Sequence, residues 1–232
     1  MAGLRVVGAS DAVNWYKGGW EIFKSNIANW VLMALILFVI GAVLMFIPFV
    51  GPIAFYVLLP IFLAGLFYSA KKLDQGQEAD IMDIFLMFKD QQRLTPLIIL
   101  GLLFLVVGFL SAMVIGGMMF ASVDLGTVSN GEMVTMPSIG MGGFFMALIV
   151  AILSFMLFMF SIPLVVFQNM SAIDAIKNSF MACVKNFPAF ILFMGIYFLL
   201  AIVAMIPFGL GLLVLAPLMI AATYVAYKRI FA

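Results

Sequence analysis

The sequence predicts an all-α integral membrane protein with six transmembrane helices. They form three tandem hairpins, each preceded by a short amphipathic helix on the cytoplasmic face. Three observations lead there. Of 232 residues, 67% are hydrophobic and only 9% charged, and mean hydropathy is +1.30; an ordinary soluble domain carries about 25% charged residues. No residue from Ile27 to Ala70 is charged, and this stretch divides at Pro48-Phe49-Val50-Gly51 into two apolar runs. Each run is near the roughly 20 residues that a helix needs to cross bilayer hydrocarbon. Finally, all eleven Lys and Arg residues fall in the N-terminal segment, the 71–94 linker, the 170–186 linker or the Lys228-Arg229 end. The intervening stretches 48–51, 120–142 and 207–209 have none, so the positive-inside rule puts both termini and both charged linkers in the cytoplasm.

Taken in order, residues 11–26 (DAVNWYKGGWEIFKSN) interleave Trp15, Tyr16, Trp20 and Phe23 with Lys17, Glu21 and Lys24. That pattern suits a helix lying at headgroup level. Trp30 then marks the start of the first span, where an interfacial ring is favoured. The spans are expected near 27–47, 52–70, 95–119, 143–168, 187–206 and 210–227, giving hairpins over 27–70, 95–168 and 187–227. An outer loop over 120–142 divides the second hairpin. Between the first two hairpins, Asp74-Gln75-Gly76 signals a turn and Pro96 suits the first turn of the next helix. Ile81, Ile84, Phe85 and Phe88 share one helical face there, predicting an interfacial helix over 79–91. Ile173, Ile176, Phe180 and Val184 predict another over 171–186. The aromatic and aliphatic candidates for contact with the interface or a partner are Trp15, Trp20, Phe23, Trp30, Ile84, Phe85, Phe88 and Phe180.

Shifting the chain by 160 residues lays the first hairpin on the last. Ala12, Lys17, Trp20, Asn26 and Trp30 then meet Ala172, Lys177, Phe180, Asn186 and Phe190. With three residues dropped in the hairpin, Pro60 meets Pro217 and Lys71-Lys72 meets Lys228-Arg229. The middle pair of spans matches more weakly but also carries a proline, Pro163, in its second helix. Each unit crosses the membrane twice, so the expected relation is parallel repeats about an axis along the membrane normal. Pro60, Pro163 and Pro217 are expected to kink all the even-numbered spans at similar depth. Small residues seven apart, Ala34 and Gly41 on span 1 and Gly101 and Gly108 on span 3, keep one face open to close helix contact.

Several function classes are disfavoured. A net charge of +1 leaves no broad basic surface for nucleic acid. A single cysteine, Cys183, rules out an internal disulfide framework, and histidine is absent. Residues 1–26 contain no apolar core of a cleavable signal, so the first span is expected to direct insertion. No Asp, Glu, Lys or Arg lies inside a predicted span, which argues against a proton relay or an intramembrane hydrolase. Span serines are expected to bond their own helix backbone. Methionines cluster around the outer loop, and Met118, Met119, Met133, Met136 and Met141 offer soft thioethers of the kind that bind Cu(I). With no histidine or second cysteine beside them, packing is the favoured reading. No catalytic residue and no cofactor is expected.

The run Gly19-Trp20-Glu21-Ile22-Phe23-Lys24, then Asn26 and Trp30, leads through a hairpin to Ala70-Lys71-Lys72-Leu73-Asp74-Gln75-Gly76 and Asp83-Ile84-Phe85. It resembles an uncharacterised family of bacterial six-span inner-membrane proteins. Ala175, Ser179-Phe180, Asn186, Pro217 and Tyr227 look like a broader group that includes the membrane domain of some glycerophosphodiester phosphodiesterases. The resemblance covers most of the chain and implies a bacterial inner-membrane location and no catalytic residues. The expected function is a non-enzymatic accessory, scaffold or lipid-binding factor, whose partners are membrane lipids, a membrane-protein partner or a second copy. The alternative is a transporter or channel for a neutral or lipid-like solute, and copper handling by the outer methionines is a minor one.

Overall fold

The computed structural model describes residues 4–121 and 140–231, and among these every regular element is helical. Helix α1 (Asp11–Lys24) precedes the hairpin α2 (Ile27–Met45) and α3 (Val50–Asp74). A 3-10 helix (Ile81–Lys89) leads into α4 (Gln91–Ala121). Beyond it come α5 (Met141–Phe158), α6 (Ser161–Gln168), α7 (Ala172–Lys185), α8 (Phe187–Met205) and α9 (Leu212–Phe231). Six stretches are long and apolar enough to cross a membrane: Ile27–Met45, Val50–Asp74, Gln91–Phe120, Met141–Gln168, Phe187–Met205 and Leu212–Phe231. These coincide with the predicted spans to within several residues, and the chain is a multi-pass membrane protein. Most of the predicted outer loop lies outside the described residues.

Local chemistry sets the boundaries. The Asn26 side chain accepts the Asn29 N–H at 3.3 Å and caps α2, while Ser171 accepts the Asp174 N–H and caps α7. Asp80 and Asp83 cap the 3-10 helix reciprocally. Gly76, at φ 71°, turns the chain after α3, a conformation that glycine adopts without strain.

The spans fall into two tiers. In α3, the α5–α6 span and α9, 44%, 50% and 61% of the apolar window is buried, against 11%, 11% and 22% in α2, α4 and α8. The second span of each pair, which carries Pro60, Pro163 or Pro217, therefore forms the interior, and the first faces outward. At the charged end, here called the terminal face, the inner spans meet one another. The Phe167 ring lies 5.7 Å from Tyr224 and 5.4 Å from Tyr227, and the Lys71 ammonium sits 5.5 Å over Phe167.

Three short helices of the terminal face brace these inner spans. Helix α1 lies on α9 so closely that a β-carbon on Gly19 would stand 2.6 Å from the Ala222 backbone nitrogen. The 3-10 helix lies on α3, where a β-carbon on Gly65 would stand 2.4 Å from the Asp83 carbonyl oxygen. The buried Asp83 carboxylate accepts Lys72 Nζ at 2.7 Å and the Asp80 N–H at 3.0 Å. Helix α7 braces the α5–α6 span by inserting a side chain. Ser179 Oγ accepts the Phe160 N–H at 3.0 Å and donates to the Met156 carbonyl at 2.8 Å.

That insertion corrects one expectation. Span 143–168 is not one helix: it breaks at Met159-Phe160, because the Ser179 hydroxyl takes the place of the Phe160-to-Met156 ladder bond. Pro163, just beyond, has no N–H to offer Met159. Pro60 and Pro217, in contrast, lie within uninterrupted stretches of α3 and α9. A second correction concerns residues 79–91, which form a 3-10 helix of nine residues. At three residues per turn, Ile84 and Met87 align and are buried, while Phe85 and Phe88 are half-buried against Phe62.

Two predictions follow from this packing. A β-carbon on Gly101 would stand 2.2 Å from the Val57 carbonyl oxygen, whereas one on Gly108 meets nothing within 4 Å. Gly101→Ala is expected to destabilise the fold by about 1–3 kcal/mol through overpacking, while Gly108→Ala leaves it unchanged or slightly more stable; reversible unfolding in detergent measures both. Ser179→Ala strands the Phe160 N–H and the Met156 carbonyl in an apolar interior and should lower stability in the same assay by about 1–3 kcal/mol.

Candidate membrane-facing site

The aromatic candidates divide according to what the short helices pack against. Trp15, Phe23, Trp30 and Ile84 are buried, Phe85, Phe88 and Phe180 are half-buried, and Trp20 is 43% exposed. Trp15 meets Phe193 edge-on at 5.8 Å, and Tyr16 stacks on the same ring at 4.8 Å while its hydroxyl donates to the Phe193 carbonyl at 3.0 Å. The ring of Trp30 is buried in the core. Trp20 is left as the one outward-facing ring of the three tryptophans.

The methionines do not come together as a described cluster. Met118 and Met119 lie near the end of α4, Met141 begins α5, and Met133 and Met136 lie outside the described residues. Among the described residues no group of three or more His, Cys, Asp or Glu is placed to hold a metal ion. Ser111 and Ser154 donate to the Val107 and Val150 carbonyls four residues back, each at 2.7 Å, as expected of serines within spans. Gln168 Nε2 donates to the Tyr227 hydroxyl at 3.1 Å.

The feature with binding capacity is a cleft of about 470 Å³ between α2, α3 and α9, within the 300–1,000 Å³ range of ordinary ligand pockets. Ala34 and Gly41 line it from α2, Phe55 and Leu63 from α3, and Leu213 and Pro217 from α9. All the lining side chains are apolar, so it offers no side-chain donor or acceptor to a polar ligand. The corresponding junction between α3 and α4 is closed at Gly101, leaving a shallower crevice of about 360 Å³ nearer its outer end. A larger crevice of about 580 Å³ on the terminal face is polar, lined by Glu21 and Arg229 and spanned by the Lys228–Asp74 ion pair.

At the opposite end, two hairpin tips share a tripeptide and a positive φ that sequence reasoning passed over. Ile47-Pro48-Phe49 and Ile206-Pro207-Phe208 are the same tripeptide, and Phe49 and Phe208 both have positive φ, at 62° and 54°. Phe49 is 87% exposed and Phe208 fully exposed. A left-handed φ at a bulky residue costs roughly 1–3 kcal/mol, and nothing among the described residues packs on these rings to offset it. Transfer of a phenylalanine side chain into an apolar medium is worth about 1.5–3 kcal/mol, which is of the right size. The recurring Ile-Pro-Phe was the available signal; its backbone geometry was not legible.

Comparison with protein-family models, curated proteins and solved structures found no match to this chain.

Replacing Phe208 separately by Ala and by Gly isolates the backbone strain, since both remove the ring and only glycine relieves φ. The glycine variant is expected to be the more stable by about 1 kcal/mol in detergent unfolding.

Proposed function

We propose that this chain is a non-enzymatic protein of the bacterial inner membrane that binds lipid and serves as an accessory or scaffold to another membrane component. The observation that carries the reading is the wholly apolar cleft between α2, α3 and α9, set in the part of those spans that holds no charged residue. Such a cleft takes hydrocarbon and rejects polar substrates, because burying an unpaired polar group is unfavourable. The inner-membrane location rests on the resemblance noted above, and the cytoplasmic placing of both termini rests on the distribution of Lys and Arg.

The short helices support a lipid role. Helices α1 and α7 each keep a second apolar face after bracing an inner span, Val13 with Trp20 and Ile173 with Met181, and the 3-10 helix exposes Met82 and Leu86. Lys17 and Lys177 flank the first and last of these faces. This is the arrangement of amphipathic helices lying in the cytoplasmic headgroup layer.

Contacts between units support the parallel three-hairpin repeat. Asn26 and Asn29 donate to the Ala79 carbonyl, at 3.5 and 2.7 Å, just ahead of the 3-10 helix. Asn186, the counterpart of Asn26, accepts the Val7 N–H at 2.7 Å and donates to the Arg5 carbonyl at 3.2 Å, just ahead of α1. Each asparagine thus grips the segment that leads into the next unit, and the third unit grips the first. That closure is what a set of parallel repeats about the membrane normal requires. The transport alternative has less support, since Phe167, Tyr224 and Tyr227 fill the meeting point of the inner spans.

Two measurements test this reading. In proteoliposomes, tryptophan fluorescence should be quenched by phosphatidylcholine brominated close to the headgroup and much less by bromine at the chain end, the change coming from Trp20. Equal quenching at both depths would count against the headgroup placement. Burial pushes the Cys183 thiol up to about 12, so the native cysteine should stay unlabelled by a membrane-impermeant maleimide. On intact spheroplasts, Leu210→Cys should label and Ser10→Cys should not; the reverse pattern would invert the topology.

A further inference from the structure

We infer that the cleft between α2, α3 and α9 holds a single acyl chain of a phospholipid from the leaflet opposite the termini, admitted between the two Ile-Pro-Phe tips. This rests on the lipid-binding reading and adds to it a leaflet, a stoichiometry and an entrance.

Depth assigns the leaflet. The cleft runs from Met45, Phe55 and Leu212, close to the hairpin tips, to Ala34, Leu66 and Ile220 nearer the middle of the spans. Ala34 to Met45 on α2 covers about 16 Å at helical rise, close to half of a hydrocarbon core of about 30 Å. The cleft is as deep as one leaflet and begins at the tip side.

Continuity with the lipid-facing surface identifies the occupant. Phe38 and Met45 line the cleft and are also 66% and 53% exposed on the outward side of α2, so its rim merges with the surface that the spans present to the bilayer. Cross-section then decides between an acyl chain and a partner helix. Spread over about 16 Å, 470 Å³ leaves a mean section of about 30 Å². A helix about 10 Å across needs roughly 80 Å², so the cleft takes in a slender chain along its length and would leave most of a helix outside it.

The tips supply the entrance. Phe49 immediately precedes α3 and Phe208 stands four residues before α9, two of the three helices that line the cleft. Among the described residues nothing packs on either ring, both stand on positive-φ backbone, and both lie at the tip end of the cleft. Aromatic rings are favoured at the hydrocarbon boundary, and there they part neighbouring lipids beside the opening.

The test uses the full chain in phosphatidylethanolamine–phosphatidylglycerol vesicles carrying phosphatidylcholine with a diazirine at its chain end. The probe is exchanged into one leaflet at a time, and protein orientation is fixed by protease access to the termini. With the probe in the leaflet opposite the termini, photolabel should concentrate on peptides holding Ala34, Leu66 and Ile220, above the membrane-exposed Val106 and Ile149. Ala42→Phe, which fills the cleft, should reduce that label to the level at Val106. Ala216→Leu serves the same purpose if the first variant elutes as aggregate. The Phe49→Gly/Phe208→Gly double variant should lose label after brief exposure and regain it on long incubation. Even labelling of cleft and surface overturns both the inference and the lipid-binding reading. Cleft labelling from the terminal-side leaflet overturns the leaflet assignment, and an unaltered time course in the double variant overturns the entrance; either leaves lipid binding standing.

Discussion

Backbone-level contact between short helices and inner spans is the constraint on which the structure depends. Apolar spans gain little from packing in lipid, because lipid tails are as apolar as leucine; close approach, dispersion and hydrogen bonds must hold them together. Here the approach is made through Gly19 on Ala222, Gly65 on the Asp83 carbonyl, and the Ser179 hydroxyl set into the α5–α6 backbone. Each contact ties a helix of the terminal face to a proline-bearing span. The two-tier arrangement, with α3, α5–α6 and α9 inside, follows from where those three braces are placed.

The same constraint explains why the tip side is looser. Braces and ion pairs such as Lys72–Asp83 and Lys228–Asp74 gather at the terminal face, while among the described residues the far halves of the spans have no ion pair and meet through close approaches such as Gly101 on Val57 and Gly211 on Ala204. At the α3–α4 junction Gly101 brings two backbones together and closes the gap. At the α2–α9 junction Ala34 and Gly41 meet no such partner backbone, and the space between the helices stays open as the cleft. Of the two stripes with the same seven-residue spacing, only Gly101 makes a backbone contact, while Gly108, Ala34 and Gly41 line open crevices. The strained Phe49 and Phe208 tips sit on this looser side, where a packed fold would leave them no reason to exist.

Much of the fold was legible because hydropathy reports the bilayer directly: charge-free runs such as Ile27–Ala70 have one stable solution in lipid. The site was less legible. Trp15 and Phe23 carry an interfacial pattern, yet α1 packs on α8 and α9, so these rings turn inward; Trp30, on α2, is buried as well, and of the three tryptophans only Trp20 remains outside. The periodicity of Ile81, Ile84, Phe85 and Phe88 fits an α-helix, but the segment winds as a 3-10 helix and buries Met87 in their company. Phe49 and Phe208 could not be singled out as strained, because φ at a hairpin tip is set by the closure of the two flanking helices.

The sequence by itself determined the number of spans, their limits and the side on which positive charge collects, since each follows from transfer free energies summed along the chain. Tertiary structure alone decided which spans lie inside, at which small residue two helices close, and which aromatic rings face outward. Those outcomes depend on gaps of an ångström or two between helices distant in sequence, such as the space that Gly101 lacks and Gly41 borders. No local pattern carries that information, because it arises only when all the braces of the terminal face are in place together.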